Sequence, residues 1–502
     1  MAQWTSAVGA PQLARLLATQ RAAASASEHY AGHRVPAYRS LADGVRFLVV
    51  EGRIPVATRL PAERELAAAL RVSRTTVAAA FEALRADGFL ASRRGSGSWT
   101  ALPAGKPLPT RGLEPLPPES AGSMIDLACA SFLAPEPHLT QAFQGAVSDL
   151  APYTHTHGNY PAGLPALREA LAARYTARGV PTMPEQIMVT TGAMGAVAAL
   201  ARLLTPRGER VAVEHPSYAN VLHLLRDAGA RLVPVPMAEG LAGWDLPAWQ
   251  QAFRDTAPRM AYVIADFHNP TGALATDDQR RDLVAAARAA GTVLVADESM
   301  ADLALEDGLE LPRPVAAFDP GGSAVITVGS VSKAIWAGLR IGWVRAAPEV
   351  IRSLVAARVY ADLGSPVLEQ LAVARLMAGG GWESALSLRR AHARENRDAL
   401  VTALRDRLPD WEFTVPHGGL TLWVRTGGLS GSRIADAGER IGVRVPAGTR
   451  FGVDGAFEGY VRLLFTLADP LLEEAVARLA KAADLVRTGA VGEADVPRSY
   501  VA

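Results

Sequence analysis

One short run constrains this chain most: an apolar strand that ends in small hydroxyl residues and a lysine. It reads Val328-Gly329-Ser330-Val331-Ser332-Lys333, and Gly338-Leu339-Arg340-Ile341-Gly342-Trp343 follows. A lysine amine in such a place can form an imine with an aldehyde. The small residues let a phosphate approach the backbone, and Arg340 can clamp that phosphate bidentately. Standing alone the string is a weak sign, because a lysine ending a strand is usually solvated. The rest of the chain supplies the context.

At 502 residues the chain exceeds one ordinary core, so two or three domains are expected. From Ile125 to about Thr488, short β-rich runs alternate with Ala- and Leu-rich helical stretches. The runs include Ile187–Thr190, Arg210–Val213, Met260–Ile264, Thr292–Ala296 and Ala324–Val328. This alternation predicts an α/β domain with a mostly parallel, doubly wound sheet. The chain divides into an extension (1–34), a compact helical module with a short β end (35–101), a linker (102–124), the large domain (125–488) and a polar tail (489–502). Pro103, Pro107, Pro109, Pro117 and Pro118 stiffen the linker. In the extension, Pro11 to Thr19 predicts a short helix before an Ala/Ser-rich spacer.

Charge is uneven. Residues 34–100 hold 11 arginines against 6 acidic residues, so they carry a surplus of five positive charges in a chain of net charge +1. A basic module on a mildly acidic body suggests a nucleic-acid footprint. The single cysteine, Cys129, rules out an internal disulfide and fits a cytoplasmic setting. The N-terminus shows no signal-peptide pattern. The most apolar stretch, Met188 to Leu204, is interrupted by Thr190, Thr191 and Arg202 and makes a poor membrane span. No metal site is expected.

In the basic module, Leu60 to Leu70 predicts a helix opened by Pro61. Arg71-Val72-Ser73 makes a turn, with Ser73 as the N-cap of a second helix from Arg74 to Leu84. Val77, Phe81 and Leu84 share one face. Arg74, Thr75 and Thr76 are left free at the N-terminal end, the geometry of a recognition helix. Phe89 to Trp99 predicts a strand, a basic turn with Arg93, Arg94, Gly95 and Gly97, and a returning strand.

Residues 38–100, above all Leu60 to Trp99, closely resemble the winged helix-turn-helix of the GntR family. The resemblance implies operator DNA as a partner. Arg64 and Arg74 would meet phosphate or base, Thr75 and Thr76 the groove, and Arg93 to Gly97 would form the wing.

In the large domain, Thr190-Thr191-Gly192-Ala193-Met194 follows a strand and opens a helix, whose first N–H groups can bind phosphate. Val293-Leu294-Val295-Ala296-Asp297 ends another strand in a carboxylate. With Glu214 to Tyr218, Asp266 to Gly272, Gly158 to Gly163 and Tyr460 to Phe465, these motifs resemble fold-type-I, pyridoxal-phosphate-dependent aminotransferases from about Ile125 to Val486. The resemblance implies pyridoxal 5'-phosphate as cofactor. Lys333 would carry it, and Asp297 would pair with its ring nitrogen. Tyr218 would stack on the ring, and Asn269 would bond the ring oxygen. Gly192, Ala193, Ser330, Ser332 and Arg340 would hold the phosphate. Tyr160 would reach the phosphate of a dimer partner, and Arg462 would grip a substrate carboxylate.

One position departs from the pattern. Active relatives usually carry a tyrosine two or three residues after the strand-ending aspartate, and here Ser299 and Met300 stand there. Head and large domain together resemble the MocR regulators. That implies a head-to-tail homodimer, each head packed near the partner's large domain, in which an amine, an amino acid or the cofactor itself changes DNA affinity, with little or no turnover. The alternative is a working aminotransferase with an appended head.

Overall fold

The computed structural model describes residues 6–27, 36–93, 97–103, 122–238 and 243–489, with the single positions 113, 116, 119 and 240. Arg94 and Gly95 of the expected wing turn lie outside these residues.

The head is built on four helices: α1 (Ala10–Ser27), α2 (Ala37–Val50), α3 (Glu63–Leu70) and α4 (Arg74–Ala86). Val45, Leu48 and Val49 of α2 close a core with Leu66 of α3 and Val77, Phe81 and Leu84 of α4. The Ser73 hydroxyl accepts the Thr76 N–H at 3.0 Å and so caps α4. Helix α3 starts at Glu63, later than the sequence predicted. Pro61 stays outside, because Ala62 is extended and its N–H donates to Glu65 at 3.3 Å.

The wing pairs β3 (Leu90–Arg93) antiparallel with β4 (Gly97–Thr100). Two features of the extension differ from expectation. Helix α1 runs through the Ala/Ser-rich stretch to Ser27, in keeping with alanine's high helix propensity. The extension is also part of the head. Leu13 and Leu17 are buried in its core, and β1 (Ser6–Ala7) pairs in parallel with β2 (Thr58–Arg59), which continues onto β4.

The large domain is organised by seven strands: β6 (Ile187–Thr190), β7 (Arg210–His215), β8 (Arg231–Pro236), β9 (Met260–Val263), β10 (Val293–Asp297), β11 (Val325–Ser330) and β12 (Gly342–Arg345). Their order is β6-β12-β11-β10-β9-β7-β8, and only β12 runs antiparallel to its neighbours. Strands β6, β9 and β11 are buried along their whole length, as a sheet covered on both faces requires. In such sheets ligands bind beyond the carboxyl ends of the strands. Thr190, His215, Asp297 and Ser330 are four of those ends.

A C-terminal portion completes the domain. In it β13 (Thr421–Arg425) pairs antiparallel with β15 (Tyr460–Leu464), and β5 (Ile125–Asp126) pairs with β14 (Val443–Arg444). Among the described residues, no helix is long and apolar enough to cross a membrane.

The head is seated on the large domain of its own chain. The Phe457 N–H donates to Val50 O at 2.9 Å, and the Tyr460 hydroxyl donates to Glu51 at 2.6 Å. The Phe457 ring fills the space over Gly52, where a Cβ would come within 2.2 Å of it.

Candidate cofactor and ligand site

The strand ends of the sheet open on one cavity of about 640 Å³. Its floor is a cradle suited to an anion. Gly192 opens the helix Gly192–Leu204 at φ +70°, and a Cβ there would lie 2.8 Å from Arg340 Nη2. Glycine therefore lets the guanidinium lie across the helix start, where backbone N–H groups lack helical partners. Beside it, the Ser330 hydroxyl donates to Ser332 Oγ at 2.9 Å and accepts the Ser332 N–H at 3.1 Å. Ala193, Ser330, Ser332, Lys333 and Arg340 all line the cavity.

Lys333 follows directly. Its Nζ donates to the Ala130 carbonyl at 2.6 Å, and burial pulls its pKa down to about 8. Asp297 ends β10 beside it. Burial raises the carboxyl above its usual range, while the Ser299 N–H at 2.8 Å and the Tyr262 hydroxyl at 2.7 Å favour the carboxylate. Tyr262 stands on β9, paired with Val295 across the ladder. It therefore meets Asp297 from the side and does not replace the missing tyrosine. Of the two positions where that tyrosine was expected, Met300 is buried, lines the cavity and offers no donor, and Ser299 lines it with an Oγ that has no partner.

Arg462 comes from β15, on the C-terminal portion. It is 1% exposed, and burial lowers its pKa to about 10. Nη1 faces Asn269 Oδ1 at 3.5 Å, Nη2 donates to Ala128 O, and Nε has no partner. Among the described residues, no carboxylate lies within ion-pair distance of it. Phe451 supports the guanidinium from below, at 5.0 Å. A buried cation in a cavity wall is costly unless paired, which makes Arg462 a candidate anion-binding group.

The cavity thus gathers Ala193, Tyr218, Asn269, Asp297, Ser330, Ser332, Lys333, Arg340 and Arg462. Tyr160 does not line it. Its hydroxyl lies 3.2 Å from Thr156 Oγ1, and its ring meets Tyr153 edge-on at 5.7 Å.

Sequence reasoning missed a network behind the site. Fully buried Glu214 accepts from Trp244 Nε1 at 2.6 Å and the Ile264 N–H at 3.0 Å, and His268 Nε2 lies 3.1 Å away. It ties the loop of Tyr218 to the loop of Asn269. The only local signals were Glu214 at a strand end and His268 beside Asn269, which do not reveal each other.

On the head, Arg64, Ser73, Arg74, Thr75, Arg93 and Gly97 are exposed, and Thr76 is half-buried. The hydroxyls expected to be free are engaged: Ser73 Oγ lies 2.7 Å from Thr75 Oγ1 and 2.8 Å from Thr76 Oγ1. Arg74 stands 3.5 Å from Glu63 yet keeps most of its side chain in solvent.

Residues 133–479 match the model of the aminotransferase class I and II family, and residues 37–99 match that of bacterial regulatory proteins of the gntR family. The chain belongs to the aminotransferase class I and II family. Its gntR-type head gives it the MocR-type architecture. It is 30% identical to a probable rhizopine catabolism regulatory protein, MocR, of Rhizobium meliloti, over 75% of this chain and 79% of that one. It is 29% identical to an uncharacterized HTH-type transcriptional regulator of Bacillus subtilis, over 78% and 84%. Among solved structures, an α-aminoadipate aminotransferase of Thermus thermophilus, complexed with N-(5'-phosphopyridoxyl)-L-leucine, superimposes with a TM-score of 0.66 at 27% identity. That likeness covers 73% of this chain and 93% of the enzyme.

Proposed function

We propose that this chain is a DNA-binding regulator whose aminotransferase-type cavity holds pyridoxal 5'-phosphate and receives an amino acid, another amine or the cofactor itself as its signal. Arg462 carries the reading: a buried guanidinium without an anion, in the same cavity as a lysine of lowered pKa. One group suits an α-carboxylate and the other an amine-bearing carbon.

The residues fit the cofactor. Without a Cβ at Gly192 the Arg340 guanidinium lies against the helix start, where both can face one phosphate, and buried Ser299 Oγ has no partner. Lys333 would hold the cofactor covalently. Ser330, Ser332, Arg340 and the helix start at Gly192 and Ala193 would bind its phosphate. Asp297, oriented by Tyr262 and Ser299, would supply the counter-charge to the ring nitrogen. Tyr218 would cover the ring, and Asn269 would meet its oxygen. When bound, the cofactor supplies an electron-withdrawing ring that loosens bonds at the amine-bearing carbon. Arg462 would orient the ligand by its carboxylate.

Arg64, Arg74, Arg93 and Arg94 would meet the DNA backbone or base edges, with Ser73, Thr75, Thr76, Gly95 and Gly97 completing the contact surface. A second copy is expected to pair with the large domain, bringing Tyr160 to the partner's phosphate. Exposed Leu133 and Tyr360, at 88% and 84%, suit such a contact. A cytoplasmic location goes with this role. The ligand must bind the DNA-competent and DNA-incompetent states unequally, and DNA must then alter ligand affinity by the same factor.

The test is a paired titration of the full-length, cofactor-loaded protein. The absorbance of the cofactor and the anisotropy of labelled operator DNA should both respond to one amino acid within a panel. DNA affinity indifferent to the cofactor and to every amino acid and amine tried would reject the regulator reading. The second reading is a working aminotransferase, favoured by the complete set of Lys333, Asp297, Asn269, Arg340 and Arg462 around one cavity.

A further inference from the structure

One linker residue, Leu113, stands at the cavity. Leu113 precedes the large domain in sequence, yet it lines the same space as Lys333 and Arg462. One side chain holds its backbone by both polar groups. The Leu113 N–H donates to Asn220 Oδ1, and Asn220 Nδ2 donates to the Leu113 carbonyl at 3.1 Å. An amide paired in this way imitates a strand partner and fixes one residue in place. Asn220 lies in the first turn of the helix Ala219–Asp227, which Tyr218 caps. The clasp and the ring-covering tyrosine therefore share one element.

The Leu113 side chain packs on a small apolar cluster that includes Trp423, Phe451 and Phe457, with Tyr460 at its margin. The cluster faces three ways. Phe451 lies under Arg462. Phe457 donates its N–H to Val50 of the head and covers Gly52. Tyr460 stacks on Trp423 at 5.1 Å and donates to Glu51 of the head at 2.6 Å. Linker, ligand-gripping arginine and DNA-binding head thus rest on the same few rings.

We propose that Leu113 is the wall of the pocket that reads the ligand's side chain, and that a large apolar side chain lifts it from the cluster on which the head is seated. The inference rests on the reading that the cavity takes an amino acid. The cations that line the cavity, Lys333, Arg340 and Arg462, are already assigned to cofactor, phosphate and α-carboxylate. The lining left for a side chain is mostly apolar, with Met194, Ile264, Met300 and Leu113 in it. A small amino acid leaves Leu113 seated. A large apolar one competes with it, and the competition is felt at Phe457 and Tyr460. Only a ligand with different affinity for the two seatings can move the head.

The experiment uses the cofactor-loaded full chain, with alanine and phenylalanine as probes. Affinities are read from the cofactor spectrum, and DNA affinity from anisotropy. In the wild type both amino acids should bind, and phenylalanine alone should change DNA affinity. Leu113→Ala should raise the preference for phenylalanine over alanine by roughly tenfold, the scale on which an apolar pocket discriminates size. It should also reduce the DNA response to phenylalanine to that of alanine. Leu113→Trp should shift the preference the other way. Asn220→Ala leaves Leu113 itself intact and removes its clasp, so it should follow Leu113→Ala in direction. A preference unmoved in all three variants, in a wild type that does respond, overturns the inference alone. A wild type whose spectrum answers no amino acid overturns both the inference and the reading beneath it.

Discussion

Lys333 and Asp297 show how burial sets chemistry one residue at a time. A lysine near its ordinary pKa is almost wholly protonated at neutral pH, whereas one at about 8 is roughly a tenth neutral. Only the neutral amine attacks an aldehyde. The rate at which cofactor-free protein captures pyridoxal phosphate should therefore rise with pH through about 8 and then level off. A rate still climbing tenfold per unit above pH 9 in stopped-flow absorbance would contradict that environment for Lys333. Lys333→Ala should lose the absorbance band of the covalently held cofactor while keeping the fold. Asp297 gives the second case. Its carboxyl is raised by burial, and the Tyr262 hydroxyl opposes this from 2.7 Å. Tyr262→Phe keeps the ring and removes the donor, leaving a buried carboxylate oxygen unsatisfied at a cost of about 1–3 kcal/mol. The carboxyl should then hold its proton to higher pH. Cofactor binding should weaken, and the pH dependence of the bound spectrum should move upward. Equilibrium dialysis and a spectral pH titration decide it; wild-type values in both would leave Tyr262 a packing residue only.

At the scale of elements, the strand ends carried most of what could be read in advance. Lys333, Asp297 and Gly192 each follow an apolar run that ends in a short polar turn, so their position at the sheet's carboxyl edge was visible in one segment. Tyr262 was not, because its contact with Asp297 depends on β9 lying beside β10, and strand order is absent from any single segment. Leu113 and Asn220 were hidden for the same reason, being distant in sequence and joined only by the fold. The extension misled in another way. Periodicity proposed a helix from Pro11 to Thr19 but could not say that Leu13 and Leu17 bury against the head. Helix α4 was legible, since Ser73 caps it and Val77, Phe81 and Leu84 set its buried face. Its first turn bears the DNA prediction. Exposed Arg74 has one distant carboxylate, Glu63, to leave behind on binding. If it reads a base edge, Arg74→Ala should cost about 1–3 kcal/mol in operator affinity and relax specificity at that position. If it meets phosphate alone, the loss should be uniform across sequences, with a shallower dependence on salt. Full affinity in the variant would remove Arg74 from the contact surface.

For the whole molecule, the question is whether a complete cavity on a regulator's frame also turns over substrate. Binding and catalysis draw on different parts of it. In the proposed reading the phosphate cradle, lysine and Asp297 would secure the cofactor, and Ser330, Lys333, Arg340 and Asp297 all line one cavity. Met300 stands at one of the two positions where an active relative would offer a hydroxyl to the ring oxygen, and it is buried among apolar neighbours that include Phe267 and Leu303. Losing that single hydrogen bond should cost roughly 1 kcal/mol of cofactor affinity, which a covalent link and a clamped phosphate outlast. Proton transfers are less tolerant, because each step of transamination depends on where protons sit at the amine-bearing carbon and the lysine. The chain should therefore bind cofactor and ligand yet transaminate slowly. Steady-state assays with a panel of amino donors, and pyruvate or 2-oxoglutarate as acceptor, measure this. A kcat near the roughly 10 per second typical of enzymes, for any pair, would favour the working aminotransferase. Met300→Tyr gives the converse. Restoring the hydroxyl should lower the pH at which the bound cofactor's spectrum changes, because a donor to the ring oxygen stabilises its anionic form. A spectrum with unaltered pH dependence in that variant would show that position 300 does not tune the cofactor, and slow turnover would then need another cause.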